Sequence, residues 1–444
     1  MTREMKDSGS EWIREIPKNW NVVPLKSVFS FGKGLSITKE NLIESGFPVI
    51  SYGQIHAKDA TGTSIKDQHI RYVSEDYLRT SSSSLAKQGD IIVADTSEDL
   101  EGAGNATFVD QPTIFAGYHT VLLKNKGNAD GKYIAYLMKT DQWRKQIRTA
   151  VWAVKVYSIS QAVLRETSVL LPPLSEQQSI AKYLDHKTSQ INALVSNIES
   201  QITKLDEYKK ALITQAVTKG LDPNAEMKDS GVKWIGDMPK EWHLVPAKHL
   251  IEIKKRIAGK EGYTVLSITQ SGIKPKDITS GEGQLAESYA NYQFINPGEF
   301  GMNHMDLLTG WIDISNHFGV VSPDYRVFKT RHSQIDKRYL LYLYQMCYKN
   351  KIFYSLGQGA ALMGRWRLPA TNMMNMKLPV PPVDEQKNIA DFLDHQCNLI
   401  DRSIGDLRTQ LTLLGSYKKS LIFDYVTGKE EVPADFRKEQ SYEK

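Results

Sequence analysis

The chain has 444 residues, of which 24% are charged and 41% hydrophobic, so it is long enough for two folded domains. The net charge of +5 indicates an anionic partner only weakly. No apolar run of roughly 18 residues occurs, and residues 1–10 lack the apolar core of a signal peptide. The cysteines, Cys347 and Cys397, form no metal-ligand motif. We therefore expect a cytoplasmic protein with no membrane partner, disulfide or structural zinc.

One peptide occurs twice, at the start of two long segments of unlike sequence. Residues 5–26, MKDSGSEWIREIPKNWNVVPLK, return at 227–248 as MKDSGVKWIGDMPKEWHLVPAK, with 13 of 22 positions identical. This repeat sets the domain boundaries directly. It predicts two domains of related plan that carry different inserts.

The first domain is expected at 1–170, as an α+β domain. Short β-rich stretches at 90–94 and 120–123 are separated by turn residues, and 132–137 has the pattern of an amphipathic helix. Its loops carry side chains of the types that bind phosphate, guanine or adenine. These candidate DNA-binding residues are Lys33, Lys39, Gln54 and Asn105.

A second repeated peptide opens a long helix, expected at 171–220. LPPLSEQQSIAKYLDH at 171–186 returns as VPPVDEQKNIADFLDH at 380–395. The prolines and a capping box predict a helix start near Ser175, with Asp384 as its counterpart. No Gly or Pro occurs from 175 to 219, and apolar residues recur there in steps of four and three. The predicted seam is Leu184, Ile191, Val195, Ile198, Ile202, Leu205 and Leu212.

The second domain is expected at 221–379, again as an α+β domain. It has β-rich stretches at 263–268 and 325–328 and one amphipathic pattern at 338–343. Three adjacent cations, 254–256, with only Glu252 nearby, would repel one another unless a polyanion binds them. The candidate DNA-binding residues are Lys254, Lys255, Arg256, Lys274, Asn303, His304, Arg365 and Arg367.

A second long helix is expected at 380–429, before a polar tail at 430–444. Its predicted seam is Leu393, Ile400, Ile404, Leu407, Leu411, Leu414 and Leu421. We expect the two helices to form an antiparallel intramolecular coiled coil with pseudo-twofold symmetry, because both copies lie in one chain. Two alternatives remain: each seam could pack on its own domain, or the helices could pair between chains.

The sequence carries little sign of catalysis. It has no GxxxxGK[ST] phosphate loop, and its double prolines do not form the [DN]PP[YF] tetrapeptide of amino-methyltransferases. Four acidic residues between 95 and 101 are interpreted as a solvated loop, since no Lys or His stands among them at a useful position. We therefore expect no catalytic residue, no metal and no cofactor in this chain.

The repeated motifs carry a resemblance over the whole chain. MKDSGxxWIxxxPxxW before each domain, with PPLSEQ or PPVDEQ before each long helix, resembles the DNA-specificity subunit of type I restriction-modification systems. Segments 88–93, 296–300 and 319–328 look like the target-recognition domains of that family. The resemblance implies a non-catalytic subunit that acts in defence against foreign DNA. Each target-recognition domain would read one half of a bipartite, asymmetric site in double-stranded DNA.

The resemblance also implies partners. Two adenine methyltransferase subunits that use S-adenosylmethionine would bind the helices and the PPxxEQ segments, and two motor-nuclease subunits could join. The paired helices would fix the gap between the half-sites, whose centres we expect about 34 Å or 10 base pairs apart. Two other functions stay open: a coiled-coil adaptor that binds proteins, and an enzyme with an unrecognised site.

Overall fold

A computed structural model describes residues 3–57, 63–151, 156–279, 285–359 and 366–436. The chain divides into two compact units. Unit 1 comprises Met1–Ile198 with Thr409–Lys444, and unit 2 comprises Glu199–Arg408. Each unit therefore combines one variable domain with parts of both long helices.

Unit 1 is built from short strands and helices around two sheets. Its strands are β1 (Met5–Ser10), β2 (Ile13–Pro17), β3 (Asn21–Pro24), β4 (Phe29–Lys33), β5 (Phe47–Ile50), β6 (Arg71–Val73), β7 (Leu85–Lys87), β8 (Ile91–Ala94), β9 (Thr96–Ser97), β10 (Ala106–Phe108), β11 (Thr113–Ala116), β12 (Thr120–Asn125), β13 (Tyr157–Ser158) and β14 (Ser168–Leu171). Its helices are α1 (Leu25–Val28), α2 (Tyr52–Ile55), α3 (Tyr77–Thr80), α4 (Gly131–Met138), α5 (Asp141–Arg148), α6 (Gln161–Glu166) and the long α7 (Leu174–Lys219). Single 3-10 turns lie at Lys39–Asn41, Asp67–His69 and Ser82–Ser84.

The first sheet of unit 1 lies between two layers. Its strand order is β10-β8-β12-β4, and every neighbouring pair is antiparallel. Ile91 and Val93 of β8 belong to the core that contains α4, whereas Ile92 packs with residues of the second sheet, ordered β6-β5-β11-β7. Because β8 is covered on both faces, its residues are all apolar.

Unit 2 has the same kind of main sheet, but two-stranded sheets stand in place of the second four-stranded one. Its strands are β15 (Met227–Asp229), β16 (Asp237–Pro239), β17 (His243–Pro246), β18 (Ile251–Lys254), β19 (Leu266–Thr269), β20 (Gly272–Pro275), β21 (Gln293–Ile295), β22 (Phe300–Met302), β23 (Ile312–Ile314), β24 (Gly319–Val321), β25 (Arg326–Thr330) and β26 (Lys377–Val380). Its helices are α8 (Ala247–Leu250), α9 (Lys337–Lys349), α10 (Ile352–Ser355), α11 (Ala370–Asn375) and the long α12 (Val383–Val426). The main sheet has the order β18-β25-β22-β23, which matches β4-β12-β8-β10 of unit 1, and the two-stranded sheets in place of the second one are β19-β20 and β21-β24.

These elements confirm the α+β class, and they correct two details of the sequence analysis. Each domain was expected to contain one amphipathic helix, but unit 1 also has α5, in which only Trp143 and Ile147 are buried. Two buried apolar residues among eight positions are too few to indicate a helical period in the sequence. In addition, α7 begins at Leu174, so Ser175 lies in the first turn and not at the N-cap.

The two long helices pair in an antiparallel direction within each unit. In unit 1, the Tyr425 hydroxyl donates to that of Tyr183 at 3.3 Å, and Lys418 donates to Asn192 at 2.8 Å. In unit 2, Lys209 contacts Asp401 at 2.7 Å, and the end of α7 packs in one core with the start of α12. As residue numbers rise along one helix, they fall along its partner.

The residues of the predicted seam face away from solvent. The buried ones are Leu184, Ile191, Ile198, Leu393, Ile400, Ile404 and Leu421, and the half-buried ones are Val195, Ile202, Leu205, Leu212, Leu407, Leu411 and Leu414. Several apolar side chains of the same helices are exposed instead. They are Leu194, Tyr208, Leu399, Leu413 and Tyr417.

A tryptophan of the first repeated peptide binds the start of the long helix in both units. The Trp20 Nε1 donates to Glu176 at 3.1 Å, and the Trp242 Nε1 donates to Glu385 at 3.0 Å. Both indole rings are fully buried. A buried N–H needs an acceptor, so the Glu of each PPxxEQ motif serves the frame of its own unit.

The Gln of each PPxxEQ motif is also used inside its unit. Gln177 accepts from the backbone N–H of Asp130 at 2.8 Å, and Gln386 accepts in the same way from Asp336 at 2.8 Å. These aspartates cap α4 and α9. Because both glutamines are at most 2% exposed, their side chains belong to the core of their own unit, and the docking role of the PPxxEQ segments stays a prediction.

In each unit, a buried tyrosine binds the last turn of the long helix that begins in the other unit. The Tyr133 hydroxyl of α4 donates to the Val426 carbonyl at 3.0 Å, and the Tyr339 hydroxyl of α9 donates to the Val217 carbonyl at 3.2 Å. Carbonyls in a last helical turn have no intrahelical partner, so these bonds satisfy them. The end of α12 is therefore part of the core of unit 1, and the end of α7 is part of the core of unit 2.

Candidate nucleic-acid interface

The two main sheets present equivalent strand ends, where several predicted DNA-binding residues lie. Lys33 ends β4 opposite Val121, and Lys254 ends β18 opposite Val327, one residue from the matching strand position. In the neighbouring strand, the N–H of Ala94 donates to the Asn105 carbonyl, just as the N–H of Asn303 donates to the Trp311 carbonyl, both at 2.9 Å. The structure thus places Lys33 and Asn105 at one sheet end, and Lys254, Asn303 and His304 at its equivalent.

Three rings form a cluster at this end of unit 1. The Tyr52 ring lies 5.7 Å from that of Tyr118 and 5.2 Å from that of His119, and Tyr118 and His119 are 5.9 Å apart, all edge to face. Tyr52 is the first residue of α2, and its N–H donates to the Tyr118 carbonyl. The tyrosines are half-buried and His119 is exposed, so one imidazole is supported by two packed rings.

His119 is joined to Asp95 through Thr96. The Thr96 hydroxyl donates to Asp95 at 2.9 Å and lies 3.4 Å from the His119 Nδ1, which is 3.7 Å from Asp95. The backbone of His119 has φ 54°, in the left-handed region. That conformation costs a non-glycine residue about 1–2 kcal/mol, so the surrounding structure must hold it.

A second histidine positions Asn105. The His56 Nε2 donates to the Thr96 carbonyl at 2.9 Å, which leaves Nδ1 as the acceptor for the Asn105 side chain, also at 2.9 Å. The Gln54 side chain accepts from the N–H of Ser51 at 2.9 Å and caps α2. Both predicted readers therefore have defined orientations beside the ring cluster.

A groove of about 450 Å³ runs along this end of unit 1. Its lining includes Lys33, Asp95, Tyr118, His119 and Gln161. The groove thus combines a cation, an acceptor, two rings and an amide. Sequence analysis missed Tyr52, Tyr118 and His119 because neither the left-handed turn nor the ring contacts leave a periodic pattern; the adjacent aromatics Tyr118 and His119 ahead of a predicted strand were the available signal.

The equivalent end of unit 2 has a different chemistry. His304 is half-buried, and burial, with the nearby cations of Arg326 and Arg367, lowers its pKa to about 4. Arg326 is buried and donates to the Leu368 carbonyl at 3.1 Å; burial lowers its pKa to about 10. At neutral pH His304 is uncharged, so Arg367, which is exposed, is the better placed of these groups to meet a phosphate.

The run of cations at 254–256 does not stand unpaired, which corrects the repulsion argument. Lys254 contacts Glu252 at 2.6 Å, and Arg256 forms an ion pair with the largely buried Glu299. Glu299 lies 43 positions from Arg256 along the chain, so no local sequence pattern could indicate this pair. Lys255 is the exposed member of the run.

The other predicted residues lie apart from these strand ends or outside the described residues. Lys39 is exposed on the 3-10 turn Lys39–Asn41, and Lys274 is exposed on β20. Arg365 falls outside the described residues. The DNA-binding role of the whole set stays a prediction.

A half-buried cation occurs elsewhere in unit 1, at the contact between α4, α5 and the last part of α12. Burial, with the positive charges of Arg144 and Lys418, lowers the pKa of Lys139 to about 7. In unit 2, Asn350 at the end of α9 donates to Thr214 of α7 at 3.0 Å.

The described ranges offer neither a metal-binding cluster nor a membrane-spanning helix. Those residues contain no group of three or more His, Cys, Asp or Glu side chains that could hold a metal ion. No helix within them is both long and apolar enough to cross a membrane. Asp99, in the acidic loop, accepts from the N–H of Gly102 at 2.6 Å and so shapes a turn.

One protein family matches both halves of the chain. The family described as "Type I restriction modification DNA specificity domain" matches residues 17–204 and 239–412. Two relatives come from Methanocaldococcus jannaschii. A protein assigned as the type I restriction enzyme MjaX specificity subunit is 25% identical, over 94% of this chain and 95% of its own. The MjaVIII specificity subunit is 24% identical, over 93% of each chain.

Solved structures share the fold. A chain from work on complex assembly and conformational transition of the type I R-M system has a TM-score of 0.68 at 14% identity, covering 94% of this chain and 99% of that one. The HsdS subunit from Thermoanaerobacter tengcongensis has a TM-score of 0.50 at 14% identity, covering 94% and 98%. At this identity the likeness concerns the fold alone.

Proposed function

This chain belongs to the type I restriction-modification DNA specificity family, as a specificity subunit, and we propose that each unit reads one half of a bipartite, asymmetric DNA site. One observation carries the proposal. The same sheet occurs in both units, but beside a lysine at each end the other side chains differ: Asp95 and His119 in unit 1 against His304 and Arg367 in unit 2. A shared scaffold with different polar ends suits two different base sequences.

The paired long helices set the unread gap between the half-sites in this proposal. Support comes from the contacts that tie each helix to both repeat copies, such as Tyr133 with Val426 and Tyr339 with Val217. Half-site centres on one face of the duplex would lie about one turn, or 10 base pairs, apart.

Partner subunits supply the chemistry. Two adenine methyltransferase subunits, which carry S-adenosylmethionine, would dock on the helices, and two motor-nuclease subunits would join when restriction occurs. Tyr208 and Tyr417 support a repeated docking surface, because they occupy equivalent places in the two helices and each is 55% exposed. Exposed aromatic rings are enriched in interfaces. The chain itself would be non-catalytic, with no cofactor of its own, and would act on DNA in the cytoplasm.

Methylation mapping tests the proposal. The chain and its methyltransferase subunit are expressed in a host without adenine methylation, and modified adenines are mapped across the genome. We expect one interrupted, asymmetric motif, which disappears when this chain is omitted. An uninterrupted motif, or methylation that does not need this chain, would contradict the proposal.

Two further assays address the other functions considered. Binding of the complex to a duplex that contains the motif should weaken steeply between low and high salt, since phosphate contacts release counterions. An adaptor that binds only proteins would show no such binding. The purified chain alone, incubated with DNA and S-adenosylmethionine, should leave the DNA unmodified, whereas an enzyme would modify it.

A further inference from the structure

His119 is the exposed member of the ring cluster at the sheet end of unit 1. Its side chain is 58% exposed, although Tyr52 and Tyr118 contact the ring edge to face. A left-handed backbone at φ 54° turns the chain between Tyr118 and β12. An exposed imidazole held by a left-handed turn and two packed rings is a pre-organised contact group.

The neighbours of His119 fix the roles of its two nitrogens. The proton of the Thr96 hydroxyl is used by Asp95, at 2.9 Å, so the Thr96 oxygen accepts from the His119 Nδ1 at 3.4 Å. Asp95, 3.7 Å from Nδ1, favours the same arrangement. With its proton on Nδ1, a neutral imidazole presents Nε2 as an acceptor.

The surroundings of His119 suit a DNA backbone. His119 shares its groove with Lys33, whose cation can contact a phosphate, and with Gln161. Within the major groove, the base groups that donate to an acceptor are the exocyclic amino groups of adenine and cytosine.

Building on the proposed function, we infer that His119 is a specificity-determining residue that reads an adenine or cytosine amino group in the half-site of unit 1. Its Nε2 accepts the hydrogen bond, while Thr96 and Asp95 hold the tautomer. The same strand position in unit 2 is Asp324, counted from the pairs Val93 with Val121 and Met302 with Arg326. The effect of His119 is therefore confined to one half of the site.

The first test maps the methylated motif of a His119→Gly variant beside the wild type. Glycine accepts φ 54° without strain, so the variant removes the ring and keeps the turn. We expect one required adenine or cytosine of one half-site to become degenerate, with the other half-site and the spacer unchanged. Lys87→Ala, at an exposed cation that pairs with Thr113 at the end of β11 remote from Tyr118 and is not among the candidate DNA-binding residues, should leave the motif unaltered.

An unaltered motif in His119→Gly would overturn the inference, as would a change in both half-sites. Should methylation vanish altogether, binding decides. Complexes of wild type and variant are titrated with duplexes in which purine replaces each adenine, or 2-pyrimidinone replaces each cytosine, of one half-site. Loss of one amino group should weaken wild-type binding about tenfold or more and the variant hardly at all. Equal losses in both proteins contradict the inference.

The wild-type map separates this inference from the proposed function. If the wild type yields no interrupted motif, the proposed function itself fails. If the wild-type motif is interrupted and His119→Gly does not change it, the proposed function stands and only the role of His119 is lost.

Discussion

Removing one buried hydroxyl should loosen the last turn of one long helix and leave the other intact. In Tyr133→Phe, the Val426 carbonyl loses its 3.0 Å donor within a fully buried contact. A net hydrogen bond contributes about 0.5–1.5 kcal/mol, and an unsatisfied buried acceptor costs about 1–3 kcal/mol. We therefore expect a local loss of about 1–2 kcal/mol. Because the ring stays in place, no cavity adds to this value.

Hydrogen exchange followed by mass spectrometry measures that loss directly. About 1.4 kcal/mol corresponds to tenfold faster exchange, so residues 420–428 should exchange roughly tenfold faster in Tyr133→Phe. Tyr339→Phe is the matched control, since it should act on 211–219 instead. Its effect on 211–219 should be the smaller, because the single hydroxyl proton of Tyr339 is shared between the Val217 carbonyl at 3.2 Å and the Pro379 carbonyl at 2.9 Å. Equal changes at both helix ends in either variant would refute the reasoning.

Three further predictions concern stability and reactivity. The pKa of Lys139 falls to about 7 in the folded state from its usual 10.5. The charged ammonium group therefore destabilises the folded state fully below pH 7, and this destabilisation decreases as the pH rises. Between pH 7 and 9 the wild type should gain about 1–2 kcal/mol in unfolding free energy relative to Lys139→Met, measured by urea denaturation; equal gains would contradict this. Gly428→Ala should destabilise unit 1 by more than about 1 kcal/mol, because φ is 72° and a Cβ atom would clash with Pro17. A Cβ atom at Gly415 would meet no neighbour, so Gly415→Ala should stabilise α12 by up to about 1 kcal/mol in the same assay. Burial raises the thiol pKa of both Cys347 and Cys397, so a thiol-reactive dye at pH 7 should label them only after unfolding, and prompt labelling of the folded protein would contradict this.

The domain boundaries and the long helices could be predicted from the sequence, because their peptides occur twice and their apolar residues follow a local period. The repeated peptides located both domains, and steps of four and three placed α7 and α12 within a residue or two of their observed starts. Strands such as β8 and β12 were found from short apolar runs between turn residues. Such features need only neighbouring residues to be recognised.

Contacts between distant residues could not be predicted in the same way. The contacts of Glu176 with Trp20 and of Gln177 with Asp130 were not predicted, because Trp20 and Asp130 lie far from the motif along the chain. Arg256 was predicted to contact DNA, but its guanidinium group forms an ion pair with Glu299. These partners meet only through the sheet topology, which the local pattern does not contain.

The central claim is that the helix pair measures the distance between two unlike DNA readers, and a matched double insertion tests it most directly. One heptad is added in register to α7 after Ile198 and one to α12 after Arg408, the residues at which the two units divide. Seven helical residues add about 10.5 Å, or about three base pairs. The methylated motif should keep both half-sites and gain about three unread base pairs between them. A folded, active variant whose spacer length is unchanged would contradict the account.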